Sequence, residues 1–378
     1  MRNWLLGGLA GAIASVALVI GTSVPATAAQ TSSQTIRGGG SDTTYYAMLQ
    51  LDALYSGSAG CEVQQGGVVK FDGTCFPDVA TTITTENYFH DVIAEYYPIG
   101  SGGGITQLAN KGNPGFRALD FARSSSAPSA STPAGLKFVA YARDGISWWT
   151  ANVNTHVPGD NDLTQNEIKG IWNTCAITQW GQVNGNAGDT TPILMYTAQN
   201  NSGTRKTFDG FLGSGANSTN CIPASQKDGN FGNGERVIFE NDAQPIYDQS
   251  EQGSAIFPYS FGRFQQNGGQ NGSLGKVDGV APTKTTIGNG TFPYSRYLFN
   301  VIRTTSPAAT SWTKKYVGEK NGWLCKPASA HSVDPLTGDN YRTEIEDTLD
   351  AEGFVPLPLG PIGGGVTGSS HCRVITFP

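Results

Sequence analysis

Three short turns rich in glycine and hydroxyl side chains are the parts of the sequence best suited to chemistry. They are residues 40–44 (GSDTT), 100–104 (GSGGG) and 201–204 (NSGT), and an apolar helical pattern follows each of them. The first amides of a helix have no partner inside the helix, and the helix dipole places partial positive charge there. Glycine lets the backbone approach a bound group closely, and Ser and Thr add hydroxyl donors. Turns of this kind can bind an anion without a formal charge.

Each turn alone also fits an ordinary helix cap. Ser, Thr and Asp are favoured at helix N-caps, and glycine is common in turns. Three such turns in one chain favour anion binding, although their spacing leaves three ordinary caps as an open alternative.

The elements that must position these turns predict an α/β fold. Strands alternate with helices, which favours a mostly parallel sheet. A helix is predicted from Tyr45 onward, strands at 136–142 and 145–149, and a further helix at 341–351.

Local signals add one helix start and two loops. Thr164 and Glu167 have the spacing of a capping box, which predicts a helix that begins at this point. Residues 213–235 and 262–291 are rich in Gly and Asn, and they predict long surface loops.

Length and charge limit the possible functions. A chain of 378 residues exceeds what one hydrophobic core usually serves, so we expect two lobes. The formal net charge is −6 and no block of Lys and Arg is present, so we expect no nucleic-acid partner.

A secreted phosphatase-like hydrolase is an alternative with little support. A serine nucleophile needs a base within hydrogen-bond reach, but no Gly-x-Ser-x-Gly motif is present. The histidines are scattered, and no cluster of Asp and His suggests a metal. We therefore expect no catalytic residue, no metal and no cofactor. The histidines are His90, His156, His331 and His371.

Residues 1–28 have the pattern of a secretory signal peptide. Arg2 is their only charge, the run 4–20 is apolar or small, and Ala26-Thr27-Ala28 fits a cleavage site. We expect a secreted, extracellular protein, with no Cys near the cleavage point to carry a lipid anchor. An N-terminal membrane anchor is the alternative interpretation.

The even number of cysteines in an exported chain predicts three disulfides. Six cysteines allow 15 pairings, and we predict the sequential one, because each bridge then closes a loop within one stretch of chain. A metal site is disfavoured because no Cys-x-x-Cys occurs. The predicted pairs are Cys61–Cys75, Cys175–Cys221 and Cys325–Cys372.

The chain resembles the phosphate-binding proteins of bacterial ABC phosphate uptake systems, and more broadly the type 2 periplasmic binding proteins. Four blocks carry the resemblance in the expected order, namely residues 40–45, 100–105, 120–128 and 202–204. Softer matches extend it over most of residues 36–358.

This resemblance implies a two-lobed fold with the ligand in a cleft between discontinuous lobes. Residues 30–143 and 292–378 would form one lobe, and residues 144–291 the other. It also implies a monomer that binds inorganic phosphate or a similar oxyanion and delivers it to an ABC permease. The ligand-binding residues carried over by position are Thr44, Tyr45, Ser101, Ser126, Ser202, Gly203, Thr204 and Arg205.

Two positions depart from the family pattern. Ser126 stands where the family has an Asp, and Ala198 stands where many members have an Arg. A lost Arg is a lost bidentate partner for an oxyanion. Further candidates that could contact the ligand or compensate are Thr43, Gly102, Arg123 and Asp42.

These departures also support another interpretation. An extracellular adhesion or scaffold protein could keep the binding-protein fold and lack the ligand.

Overall fold

The computed structural model describes residues 36–57, 62–65, 68–71, 100–116, 119–227, 234–318, 322–331, 333–334, 337–357 and 371–377. The signal peptide predicted at residues 1–28 and the predicted Cys61–Cys75 bridge lie outside these residues.

A central mixed sheet organises the molecule, as the predicted α/β class requires. Its strands follow the order β1-β4-β13-β5-β10-β7, and β11, β14 and β15 also pair with β5. The strands are β1 (Gly38–Gly40), β2 (Glu62–Gln65), β3 (Val68–Phe71), β4 (Phe121–Ser124), β5 (Leu136–Ala151), β6 (Asp162–Leu163), β7 (Leu194–Met195), β8 (Thr197–Ala198), β9 (Val237–Ile238), β10 (Ala255–Ser260), β11 (Gly272–Leu274), β12 (Lys276–Val277), β13 (Ser295–Arg303), β14 (Val355–Pro356) and β15 (Arg373–Phe377).

The α-helices flank this sheet and fill the connections between its strands. They are α1 (Tyr45–Gly57), α2 (Gly100–Ala109), α3 (Gln165–Trp172), α4 (Gly203–Leu212), α5 (Gln244–Asp248), α6 (Phe261–Gln266), α7 (Lys284–Asn289), α8 (Ser311–Val317) and α9 (Tyr341–Ala351).

Strand β5 is one continuous strand where the sequence predicted two. Fifteen of its 16 residues are buried, so the whole run is covered by its neighbours. Its first part pairs with β13, and its second part pairs with β10 and β11. The polar residues Arg143 and Asp144 do not interrupt the strand, because both find buried partners.

The prediction of mostly parallel pairing is wrong. Strand β5 pairs antiparallel with β10, β11, β13, β14 and β15. Parallel pairs join β1 to β4 and β7 to β10 at the two ends of the sheet. The pattern of alternating elements missed this because β13 returns along the long strand β5 and therefore runs opposite to it.

Local helix signals gave mixed results. The capping box of Thr164 and Glu167 forms at the start of α3, and α9 covers the predicted residues 341–351. The predicted loop at 262–291 is wrong, since it contains α7, most of α6 and two short strands. Thr283 caps α7, a signal that the Gly/Asn-rich composition concealed.

Two of the predicted disulfides form. Cys175 is bonded to Cys221 and Cys325 to Cys372, as the sequential pairing requires. The second bridge lies in the hydrophobic core that includes Trp323.

Candidate functional site

The N-terminal ends of α1, α2 and α4 meet in the middle of the molecule. Six hydroxyl side chains from these ends and from the end of β4 form what we call the hydroxyl cluster. Each of its members is at most 3% exposed. The members are Ser41, Thr43, Ser101, Ser125, Ser202 and Thr204.

Hydrogen bonds connect the turns that the sequence placed far apart. Ser125 Oγ lies 3.1 Å from Ser41 Oγ and 3.3 Å from Ser101 Oγ, and the Ser125 amide donates to Ser101 Oγ at 3.0 Å. Thr43 Oγ1 and Thr204 Oγ1 are 3.3 Å apart. The turn before α1 therefore contacts the start of α4 directly and the start of α2 through Ser125.

Glycine is required where α2 and α4 touch. The Gly102 amide donates to Asn201 O at 2.9 Å. A Cβ on Gly203 would overlap the hydroxyl oxygens of Ser101 and Ser125. The close approach of these two helix ends thus depends on the missing side chain at position 203.

Arg296 of β13 supplies a positive charge at the hydroxyl cluster. Its guanidinium donates to Thr204 Oγ1 at 3.1 Å, to Ser125 O at 3.1 Å and to Thr43 Oγ1 at 3.5 Å. It also forms a buried ion pair with Asp144 at 2.7 Å. Arg296 therefore contacts the turn before α1, the end of β4 and the start of α4 at once.

Arg296 and Asp144 were not among the site residues predicted from the sequence. Asp144 is fully buried and also accepts hydrogen bonds from Ser260 Oγ at 2.8 Å and from Gly262 N at 3.0 Å. Its position inside the apolar run of β5 was the available signal, because a charge in such a run needs a buried partner. Arg296, within the apolar strand β13, is that partner.

A carboxylate occupies the start of α4. Glu240 Oε2 accepts hydrogen bonds from Ser202 Oγ at 2.5 Å and from Thr204 N at 3.1 Å. Glu240 is only 4% exposed. The start of α4 thus binds a carboxylate oxygen through one hydroxyl and one backbone amide, and no motif in the sequence predicted Glu240 as the partner.

Asp42 lies beside Glu240. Oδ2 of Asp42 and Oε1 of Glu240 are both buried, and neither accepts a hydrogen bond from any donor in the described part of the chain. Burial raises the pKa of Asp42 well above its usual value, and the charge of Glu240 raises it further. Asp42 is therefore protonated more readily than an ordinary Asp.

Thr44 and Ser126, two of the predicted ligand residues, each lie one position after a member of the hydroxyl cluster. Thr43, rather than Thr44, contacts Thr204, although Thr44 is also fully buried. Ser125, rather than Ser126, contacts Ser101, and Ser126 Oγ instead lies 3.4 Å from Ser124 Oγ. Side chains alternate in direction along extended backbone, so a shift of one residue reverses which side chain enters the cluster.

The predicted arginines are held beside the cluster. Arg205 donates to Asn200 Oδ1 at 3.0 Å and to Asn217 Oδ1 at 3.1 Å, so these two asparagines hold its guanidinium. Arg123 is fully buried, donates to Ser41 O at 3.2 Å and lies over the ring of Tyr45 at 5.2 Å.

Two cavities flank the hydroxyl cluster. One of about 420 Å³ lies between α2 and α4 and is lined by Gly102, Ser202, Arg205 and Lys206 among others. The other, of about 590 Å³, is lined by residues that include Asp42, Tyr45, Glu240, Asn241, Asp242 and Arg263. Asn241 Nδ2 donates to Thr43 Oγ1 at 3.2 Å, so the second cavity adjoins the cluster.

Among the residues that the structure describes, no group of three or more His, Cys, Asp and Glu side chains is placed to hold a metal ion. Within the same residues, no helix combines the length and the apolar character needed to cross a bilayer.

Comparisons with known proteins agree with this architecture. A family model for the PBP superfamily domain matches residues 25–318. A structure described as a phosphate ABC transporter substrate-binding protein with bound phosphate, from Clostridium perfringens, is 18% identical with a TM-score of 0.50, and the match covers 86% of this chain and 100% of that one. An ABC-type phosphate transport receptor from Vibrio cholerae is 18% identical with a TM-score of 0.49, over 85% and 100% of the two chains. No match was found among curated proteins.

The family match covers most of the chain, so the chain belongs to the PBP superfamily. The resemblance noted from its sequence blocks is confirmed for family and fold. Proteins of this family bind solutes and are not enzymes, and the chain is a binding protein of the same kind.

Proposed function

We propose that this member of the PBP superfamily binds a tetrahedral oxyanion, with inorganic phosphate as the first candidate, and supplies it to an ABC permease outside the cytoplasm. The observation that carries the proposal is the meeting of three helix N-termini at the buried hydroxyl cluster, with Arg296 hydrogen-bonded to two of its hydroxyls. Hydroxyls, helix amides and one guanidinium are the donors that replace the water around a dehydrated oxyanion.

The contact at Glu240 supports the same chemistry. The start of α4 already receives a carboxylate oxygen through Ser202 Oγ and Thr204 N. A phosphate oxygen has the same need for charge-assisted donors as a carboxylate oxygen, so the helix end suits either group.

Hinge closure of two lobes would bring these donors together around the ligand. Residues 30–143 and 292–378 would form one lobe and residues 144–291 the other, so that Thr43 and Thr204 approach from opposite sides. Closure of this kind buries and dehydrates the ligand. We propose that the mature protein is a secreted monomer.

Titration of the protein with different oxyanions is needed to identify the one that it binds. Ser126 and Ala198 replace an Asp and an Arg of the family pattern, so discrimination between phosphate and sulfate does not follow from the resemblance. The hydroxyl, amide and guanidinium donors at the cluster suit any tetrahedral oxyanion of suitable size.

Isothermal titration with phosphate, sulfate and arsenate tests the proposal. The protein is first unfolded, dialysed and refolded, which removes any retained ion. We expect saturable binding of at least one oxyanion, weakened about tenfold or more by Thr204→Val, since a hydrogen bond to a charged group contributes about 1.5–3 kcal/mol.

Thr313→Val is the matched control. Thr313 is also fully buried, but it lies in α8 and its hydroxyl bonds to Thr310. The proposal fails if no oxyanion binds the refolded wild-type protein, and that result would favour the extracellular scaffold.

A further inference from the structure

Glu240 stands in the place where the proposed ligand should bind. Its carboxylate accepts hydrogen bonds from the Ser202 hydroxyl at 2.5 Å and from the Thr204 amide at 3.1 Å. These are donors that the sequence analysis assigned to the oxyanion. An oxyanion and Glu240 cannot both use them, because each of these donors has one hydrogen to offer in this direction.

We propose that the carboxylate of Glu240 is a built-in competitor for the oxyanion, which binds the start of α4 until an incoming oxyanion displaces it. This inference rests on the proposed function and adds a regulatory contact to the same site.

The backbone around Glu240 holds its carboxylate at the start of α4, where it competes with the oxyanion. Its backbone amide is fixed by Gln199 Oε1 at 2.7 Å, so the carboxylate is delivered to the start of α4 by a held backbone. It follows β9, and the neighbouring Asn241 donates to Thr43 Oγ1 at 3.2 Å. An intramolecular carboxylate held in this way acts at a high effective concentration against a free ion.

The second oxygen of Glu240 shows how the carboxylate could leave. Oε1 is buried and accepts no hydrogen bond within the described residues, and Asp42 lies beside it. Only Oε2 is bonded to the start of α4, so the carboxylate leaves this helix end by breaking two hydrogen bonds. The cavity of about 590 Å³ that Glu240 itself lines offers a place for the displaced side chain.

Titration of Glu240→Gln with phosphate tests this proposal. Glutamine keeps the shape and an acceptor oxygen but removes the charge, so it competes less well for the charge-assisted donors. We expect phosphate to bind Glu240→Gln about tenfold more tightly than wild type or better.

Asp242→Asn is the matched control. Asp242 lines the same cavity and carries the same charge, but its Oδ1 accepts from Gln244 N at 3.0 Å and does not contact the start of α4. We expect its phosphate affinity to stay within about twofold of wild type. An equal gain in both variants would mean general charge repulsion and would overturn the proposal.

The remaining outcomes separate the two proposals. If wild type binds phosphate and Glu240→Gln binds it equally or more weakly, the competitor is refuted and the proposed function stands. If only Glu240→Gln binds phosphate, the competitor is supported. If neither protein binds phosphate, sulfate or arsenate, the proposed function fails and the competitor fails with it.

Discussion

Asp144 and Arg296 face each other directly across the antiparallel pair of β5 and β13, and their side chains form a buried ion pair at 2.7 Å. Asp144 is fully buried and accepts from Ser260 and Gly262 as well as from Arg296. The pair therefore fixes the guanidinium at the hydroxyl cluster, where it donates to Thr43 and Thr204.

The first prediction concerns the charge of this pair. Arg296→Ala leaves Asp144 buried without its cation, which costs about 3–5 kcal/mol of folding free energy. Urea unfolding at neutral pH measures this loss. Arg296→Lys keeps the charge but loses the fork that reaches four acceptor groups, so we expect a smaller loss of stability and weaker phosphate binding.

Arg303→Lys is the control for both variants. Arg303 lies in the same strand, but its guanidinium donates to backbone carbonyls at the end of α2. Phosphate affinity should be unchanged in this variant. Equal losses of affinity at positions 296 and 303 would contradict a special role of Arg296.

The second prediction concerns the contact between α2 and α4. Gly203→Ala introduces a methyl group into the space of Ser101 Oγ and Ser125 Oγ, and it should destabilise the protein by about 1–3 kcal/mol and weaken oxyanion binding. Gly210 lies on the exposed side of the same helix with no atom within 4 Å of an added Cβ. Gly210→Ala should therefore stabilise by about 0.5–1 kcal/mol. Similar free energies of unfolding for the two variants would refute the close contact.

The sequence predicted the parts of the site that follow local rules. Glycine and hydroxyl residues before an apolar helix pattern mark a helix start, so residues 40–44, 100–104 and 201–204 were found without any knowledge of the fold. The sequence could not settle which hydroxyls bond to one another in the cluster. Thr43 and Ser125 do so, and the ligand contacts of Thr44 and Ser126 stay predictions.

The sequence could not predict which residues far apart along the chain would pair at the site. Arg296 and Asp144 are 152 positions apart, and Glu240 meets Ser202 across 38 positions. Neither pairing has a sequence periodicity or a motif, because the fold alone brings the partners together. The sheet direction was missed for a similar reason, since the return of β13 along β5 depends on tertiary packing.

The third prediction concerns the Cys175–Cys221 bridge, which closes a loop over a sequence separation of 46. Replacing both cysteines with serine should cost about 4 kcal/mol of stability, mainly because the unfolded chain gains freedom. Guanidinium unfolding measures the loss, and phosphate affinity of the folded variant should stay within about twofold of wild type. A tenfold loss of affinity would show instead that the bridge positions the site.

The fourth prediction starts from the raised pKa of Asp42. Burial and the charge of Glu240 raise this pKa, while Arg123 and Arg263 oppose the shift. Tyr45 and Tyr46 line the same cavity. A carboxyl group whose pKa is raised on folding binds its proton more tightly in the folded state. Its contribution to stability is complete below the unfolded pKa of about 3.9 and is lost as the pH rises through the folded pKa.

Asp42→Asn should remove this loss of stability at high pH, because the amide stays neutral and can still donate to Glu240. The stability of the variant relative to wild type should therefore increase from pH 4 to pH 8, since only wild type must ionise a buried acid beside another acid. Urea unfolding at several pH values measures the difference. Asp248→Asn, which removes an exposed carboxyl of α5, serves as the matched control. A difference between Asp42→Asn and wild type that is constant or falls over the same range would contradict the raised pKa of Asp42.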